Sequence, residues 1–228
     1  MARRPLGPLV RLARRHGLLP DAPREERRRP PVLVVYLHGF GGHVVSRIDE
    51  TLIALSEEHG FDLEMPQGTG FPRSWNAAGC CGTAAKKGLD DVGRIVALLE
   101  DARARYKRVF LVGYSNGAML ATLVAARRAD LIDGLGLVAG CIFAAPPKPA
   151  RPVPTIMVNA EDDRIVPVAG GKAAGFKLSA RPASDLAAFW QATNGTNAPV
   201  KVVRRTSGGH LINPAREVWR FLAEAGTR

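Results

Sequence analysis

The chain has 228 residues, 46% hydrophobic and 23% charged, the balance of one globular domain whose core needs no disulfide staples. It contains no apolar run of about 18 residues, which excludes a transmembrane helix. The net charge of +11 is concentrated at the start, where residues 1–30 hold nine arginines against Asp21, Glu25 and Glu26. Val32–Leu37 is a continuous apolar, β-branched run entered after Pro30–Pro31 and left at His38–Gly39, the pattern of a buried parallel strand. A helix is expected over Ser46–His59, with Ile48, Leu52 and Leu55 on one face, then a weak, polar strand over Phe61–Met65. The stretch Pro66–Gly88 is long, glycine-rich and aperiodic, which predicts a functional loop. Helical spacing returns over Leu89–Tyr106 through Val92, Ile95, Val96 and Leu99. There follow a strand over Arg108–Val112 ended by Gly113, an Ala/Leu-rich helix over Asn116–Arg128, and strands over Leu135–Ala139 and Thr155–Asn159. A helix over Ala183–Thr193, a strand over Val200–Arg204 and a helix over Pro214–Ala225, opened by its proline, complete the pattern.

Strands alternating with helices predict the α/β class, with a mostly parallel central sheet and helices on both faces. The expected organisation is an Arg/Pro-rich leader over 1–30 and one compact domain over 31–228. Only Gly140–Val153 separates two strands where a large lid would be inserted, so an open cleft is expected. The leader reads as a solvated arm. Arg11, Arg14 and Arg15 interrupt its apolar stretch, so it does not read as a secretory signal. Without zinc-finger spacing or an RNA-binding aromatic motif, no specific nucleic-acid partner is expected, although a basic binding module is the non-enzymatic alternative.

The most informative segment is Gly113-Tyr114-Ser115-Asn116-Gly117 between an apolar strand and a helix. A serine on a sharp strand-to-helix turn has its hydroxyl pushed out above the sheet, and the flanking glycines remove β-carbons that would collide. Such a hydroxyl needs a base, and among the five histidines only His210 follows Ser115. It lies just past the last expected strand. An acid must orient the imidazole, and Glu161-Asp162-Asp163 follows the Thr155 strand. Asp163 is favoured slightly over Asp162 because Ile165-Val166-Pro167 can anchor the loop behind it. The backbone N–H of Asn116, at a helix start, and that of Phe40, in the loop Leu37-His-Gly-Phe-Gly-Gly42, are the candidate oxyanion donors. His38 is read as a brace for that loop.

The blocks Leu37-His-Gly-Phe-Gly-Gly42, Ser74-Trp-Asn-Ala-Ala-Gly-Cys-Cys81, Asp90-Asp-Val-Gly93, Gly113-Tyr-Ser-Asn-Gly-Ala-Met119 and Asp163-Arg-Ile-Val-Pro167 resemble the polyhydroxybutyrate depolymerase and feruloyl-esterase-like group of α/β-hydrolases, which includes LpqC-type esterases. The likeness spans about residues 31–213. It implies a serine ester hydrolase with Ser115 as nucleophile, Asp163 as acid and His210 as base, and it makes Trp75 a wall of the substrate cleft, with Phe40 beside it. The implied substrates are aromatic (feruloyl-like), short-chain or 3-hydroxyacyl esters and oligomers, with no cofactor or metal. An acyltransferase or serine peptidase on the same triad, or a depolymerase of insoluble polyester, are the alternatives. A disulfide from Cys141 to Cys80 or Cys81 is a plausible way to pin the Trp75 loop.

Overall fold

The computed structural model describes residues 32–42, 46–172 and 178–225; the Arg/Pro-rich leader lies outside them. The elements in chain order are β1 (Val32–Leu37), α1 (Arg47–His59), β2 (Asp62–Glu64), α2 (Gly82–Lys86), α3 (Asp91–Arg105), β3 (Arg108–Tyr114), α4 (Asn116–Arg127), β4 (Gly134–Val138), β5 (Thr155–Ala160), β6 (Gly171–Lys172), β7 (Ser179–Ala180), α5 (Ala183–Asn194), β8 (Val200–Arg205) and α6 (Ala215–Ala225). Six strands form one sheet in the order β2-β1-β3-β4-β5-β8, and every pair in it is parallel. Strands β6 and β7 make a separate two-residue antiparallel ladder.

A parallel sheet must be covered on both faces, and β1 does this by alternation. Val32, Val34 and Tyr36 enter one core with Ile48, Leu52 and Leu55 of α1 and Val218 and Leu222 of α6. Leu33, Val35 and Leu37 enter the other, with Ile95 and Leu99 of α3, Leu120 and Val124 of α4 and Trp190 of α5. The result is a three-layer α/β-hydrolase fold. The connection between β4 and β5 contains no helix or strand, so no large lid is inserted there.

The edges explain the least apolar strands. The polar β2 sits at one margin, where Asp62 accepts a hydrogen bond from the Tyr106 hydroxyl at 2.8 Å. At the other margin β8 exposes Lys201 and Arg205, both paired with Glu217. Charge on an edge strand discourages further strand pairing.

Two expectations needed adjustment, and one small ladder was not anticipated. Strand β3 does not stop at Gly113, because pairing continues to Tyr114 opposite Val138, and Ser115 N–H then donates to the Val138 carbonyl. The short α2 lies inside the stretch expected to be an aperiodic loop. The β6–β7 pair is two residues long on each side, too short to leave a periodic signal.

Candidate active site

Ser115 caps α4 in a conformation with φ 53° and ψ −119°, which a residue bearing a β-carbon adopts only at a cost of about 1–3 kcal/mol. The glycines on either side are required sterically. A β-carbon on Gly113 would lie 2.4 Å from the Gly117 carbonyl oxygen, and one on Gly117 would lie 2.1 Å from that of Leu37. The turn is therefore wedged between β1, β3 and the start of α4.

Opposite it, His210 lies in a short 3-10 turn after β8. Its Nδ1 is 2.8 Å from Asp163 Oδ2 and its Nε2 is 2.8 Å from Ser115 Oγ. An ionised carboxylate can only accept, so Nδ1 carries the proton, and Nε2 of the neutral ring is free to accept from the serine hydroxyl. Asp163 is almost wholly buried. Burial alone would push its carboxyl up, but the His210 bond and the N–H groups of Val166 and Ile165 outweigh that and hold it below the usual carboxylate range. Sequence left Asp162 and Asp163 in competition, and the two sit in different places. Asp162 accepts from the backbone N–H of Gly208 and Gly209 at 3.2 and 2.8 Å, fastening the loop that carries His210.

The loop after β1 passes directly beside the serine: a β-carbon on Gly39 would lie 3.3 Å from Ser115 Cβ. This loop is held by His38, which is buried. Its Nε2 accepts from Gly68 N–H at 2.9 Å, so its Nδ1 donates to the Gly39 carbonyl at 2.6 Å. Burial lowers its pKa below the ordinary histidine value despite the opposing Gly39 contact, in keeping with a neutral brace. Gly41 N–H further donates to the Arg73 carbonyl. Phe40, 42% exposed, stands in this loop, and Asn116 N–H is the first amide of α4, where no intrahelical acceptor exists.

A family model described as serine aminopeptidase, S33 (Hydrolase_4) matches residues 28–157, more than half of the chain. The chain belongs to this family. The match takes in the Ser115 turn and ends before Asp163 and His210. No curated protein sequence matches this S33-family hydrolase. Among solved structures it is similar to Arabidopsis thaliana SOBER1, at 15% identity and TM-score 0.61 over 86% of this chain and 99% of that one. It is also similar to Est1E from Butyrivibrio proteoclasticus, at 14% identity and TM-score 0.56 over 90% and 92%. The esterase PE8 aligns at 19% identity and TM-score 0.59 over 85% and 92%. At these identities the likenesses establish the shared fold.

In this S33-family hydrolase Trp75 does not line a cleft. It is 0% exposed, its ring N–H donates to the His38 carbonyl at 2.8 Å, and its ring lies beneath the Arg94 guanidinium at 5.0 Å. An aromatic so enclosed presents no face to a cleft, and it acts instead as a strut under the loop that follows β1. The cysteine pairing also differs from expectation. Cys80 and Cys81 are bonded to each other, and Cys141 is a buried free thiol packed against α4.

Two side-chain roles in the site carried no recognised signal. The Tyr114 hydroxyl donates to the His210 carbonyl at 2.7 Å, and burial, followed by the Asp163 charge, pushes its pKa up to about 12, so it remains a donor throughout the neutral range. The Asn116 side chain accepts from Trp75 N–H at 2.8 Å and donates to the Trp75 carbonyl at 3.1 Å. It thereby docks the 74–81 segment against the serine turn. Among the described residues no group of three or more His, Cys, Asp or Glu side chains is placed to hold a metal ion, and no helix is long and apolar enough to cross a membrane.

Proposed function

We propose that this S33-family hydrolase cleaves carboxylic esters through an acyl-enzyme on Ser115. The observation that carries the reading is the unbroken line of two 2.8 Å contacts from Ser115 Oγ through His210 to Asp163. In the first step His210 Nε2 takes the hydroxyl proton while Oγ attacks the ester carbonyl. The oxyanion that forms is met by the N–H groups of Asn116 and Phe40. Collapse breaks the bond to the alcohol, which departs with the proton held by His210. Water then adds to the acyl-enzyme with the same base, and the free acid leaves. Asp163 keeps Nδ1 protonated and offsets the transient positive charge on the ring. The cycle requires no cofactor or metal.

The resemblance to feruloyl-esterase-like and polyhydroxybutyrate depolymerase enzymes points to aromatic, short-chain or 3-hydroxyacyl esters and their oligomers as substrates. The family description keeps peptide substrates as the second reading. Initial rates on p-nitrophenyl acetate, butyrate and octanoate, methyl ferulate and a 3-hydroxybutyrate oligomer, beside an aminoacyl p-nitroanilide, separate the two. Ester turnover that vanishes in Ser115→Ala is the expected result. Faster cleavage of the anilide than of every ester would replace esterase with peptidase.

A further inference from the structure

The side chain of Tyr114 lies between three parts of the site, and the proposed chemistry has given it no task. Tyr114 ends β3, where pairing opposite Val138 fixes its backbone, and it immediately precedes Ser115. Its ring lies against the loop after β1, since a β-carbon on Gly39 would come 2.8 Å from Tyr114 Cδ1 and 3.0 Å from Cε1. The same ring stands 5.4 Å from that of His210, centroid to centroid, at an angle of 39°. Its hydroxyl donates to the His210 carbonyl at 2.7 Å.

The segment that carries His210 needs such support. Gly209–Leu211 is a single 3-10 turn with no buried residue, so packing alone does not fix it. Hydrogen bonds fasten it to two strand ends instead. Asp162, just past β5, accepts from the N–H groups of Gly208 and Gly209, and Tyr114, at the end of β3, donates to the carbonyl of His210 itself. Because Tyr114 and Ser115 are neighbours, the second bond ties the main chain of the base directly to the strand end that carries the nucleophile. We propose that Tyr114 is a positioning residue, whose hydroxyl holds the His210 main chain where Nε2 meets Ser115 Oγ. The proposal takes its reaction from the ester-hydrolase reading and its geometry from the Ser115–His210 contact at 2.8 Å. A general base works only within hydrogen-bond reach of the proton it takes, and a misplacement of about 1 Å costs on the order of 100-fold. Tyr114 thus acts through His210.

The test uses the full chain. Tyr114→Phe keeps the ring against Gly39 and His210 and removes only the hydroxyl. Loss of one such hydrogen bond corresponds to roughly three- to tenfold in rate, so kcat on p-nitrophenyl butyrate should fall by that factor. KM should stay within about twofold, because the interaction serves the transition state rather than binding. Tyr106→Phe is the matched control, since it removes a phenol hydroxyl that donates to Asp62 at 2.8 Å at the β2 margin. It should lower the melting temperature and leave kcat at the wild-type value. A fluorophosphonate, which Ser115 attacks as fluoride leaves, reads the same help from His210 without any ester. Its labelling rate in Tyr114→Phe should fall in step with kcat. Wild-type kcat and labelling rate in Tyr114→Phe, a change in KM alone, or an equal kcat loss in Tyr106→Phe would overturn the proposal. Wild type that is labelled at Ser115 but hydrolyses no ester overturns the ester-hydrolase reading only, and the labelling rates then decide the role of Tyr114. Wild type that shows neither labelling nor turnover removes both.

Discussion

Two adjacent aspartates provide the sharpest test, because the structure assigns them unequal jobs. Asp163 contacts the imidazole itself, whereas Asp162 reaches only the backbone of the loop that carries it. Replacing Asp163 by asparagine leaves the shape but offers Nδ1 the wrong partner, and loss of a triad acid in this way costs about 10⁴-fold in kcat. Asp162→Asn keeps one acceptor oxygen and turns the other into a donor, so it loses one, and at most both, of the hydrogen bonds at 3.2 and 2.8 Å to exposed amides. Solvent screening leaves each worth about 0.5–1 kcal/mol, so at most about 2 kcal/mol is lost from holding His210 in place. That bounds the fall in kcat at roughly 30-fold. The assay is kcat and KM on p-nitrophenyl butyrate for wild type and both variants, with melting curves from pH 3 to 8. The Asp163 carboxyl titrates lower in the folded chain than in the unfolded one, so its stabilisation is complete above the unfolded value of about 3.9 and is lost as pH falls through the folded value. The wild-type advantage in melting temperature over Asp163→Asn should therefore shrink in acid. Equal kcat losses in the two variants, or more than a tenth of kcat surviving in Asp163→Asn, would refute the assignment.

The strained serine should separate stability from activity. Both Ser115→Gly and Ser115→Ala lack the proposed nucleophile, but only glycine tolerates φ 53° freely. Strain relief of about 1–3 kcal/mol, less roughly 0.5–1 kcal/mol for the more flexible unfolded chain, leaves glycine ahead by about 1 kcal/mol, or some 3 °C in melting temperature. Calorimetry of the two inactive variants checks this, and an alanine variant that melts higher would contradict it. Iodoacetamide at pH 8 should label no cysteine in the native protein, because Cys141 is buried with its pKa pushed up to about 12 and the other two are bonded. Unfolding should expose one thiol without reductant and three with it, counted by mass spectrometry; more than one without reductant would remove the Cys80–Cys81 bond. A ring closed by neighbouring residues constrains the unfolded chain little, so reduction should lower the melting temperature by only about 2–4 °C.

The order of elements was legible because it is written in short-range patterns. The run Val32–Leu37 declares a strand covered on both sides, and Gly113-x-Ser-x-Gly117 declares its turn, because β-carbons at those glycines would strike backbone oxygens. His210 was found by elimination, as the only histidine after Ser115. Its partner was not: Asp162 and Asp163 differ by one position, and their roles are decided by which carboxylate the β5 end turns inward. That is a tertiary fact. Tyr114 escaped for the same reason, since its hydroxyl meets a carbonyl 96 residues away.

The Ser74-Trp-Asn and Asp90-Asp blocks teach a different lesson. They carry part of the resemblance to feruloyl-esterase-like enzymes, and that resemblance makes Trp75 a contact of the substrate. The structure gives them another physical cause. Asp91 accepts from Asn76 N–H at 2.7 Å and pairs with Arg94, Arg94 covers Trp75, and the Asn76 side chain donates to the Leu89 carbonyl at 2.8 Å. Asp90 caps α3 through Gly93 N–H. Together they clamp a long loop, with little regular structure of its own, to the start of α3 and, through Trp75 and Asn116, to the serine turn. Buried polar networks of this kind tolerate few substitutions, because losing one partner strands another without water. A clamp can therefore leave as sharp a sequence signature as a substrate contact while never touching the substrate.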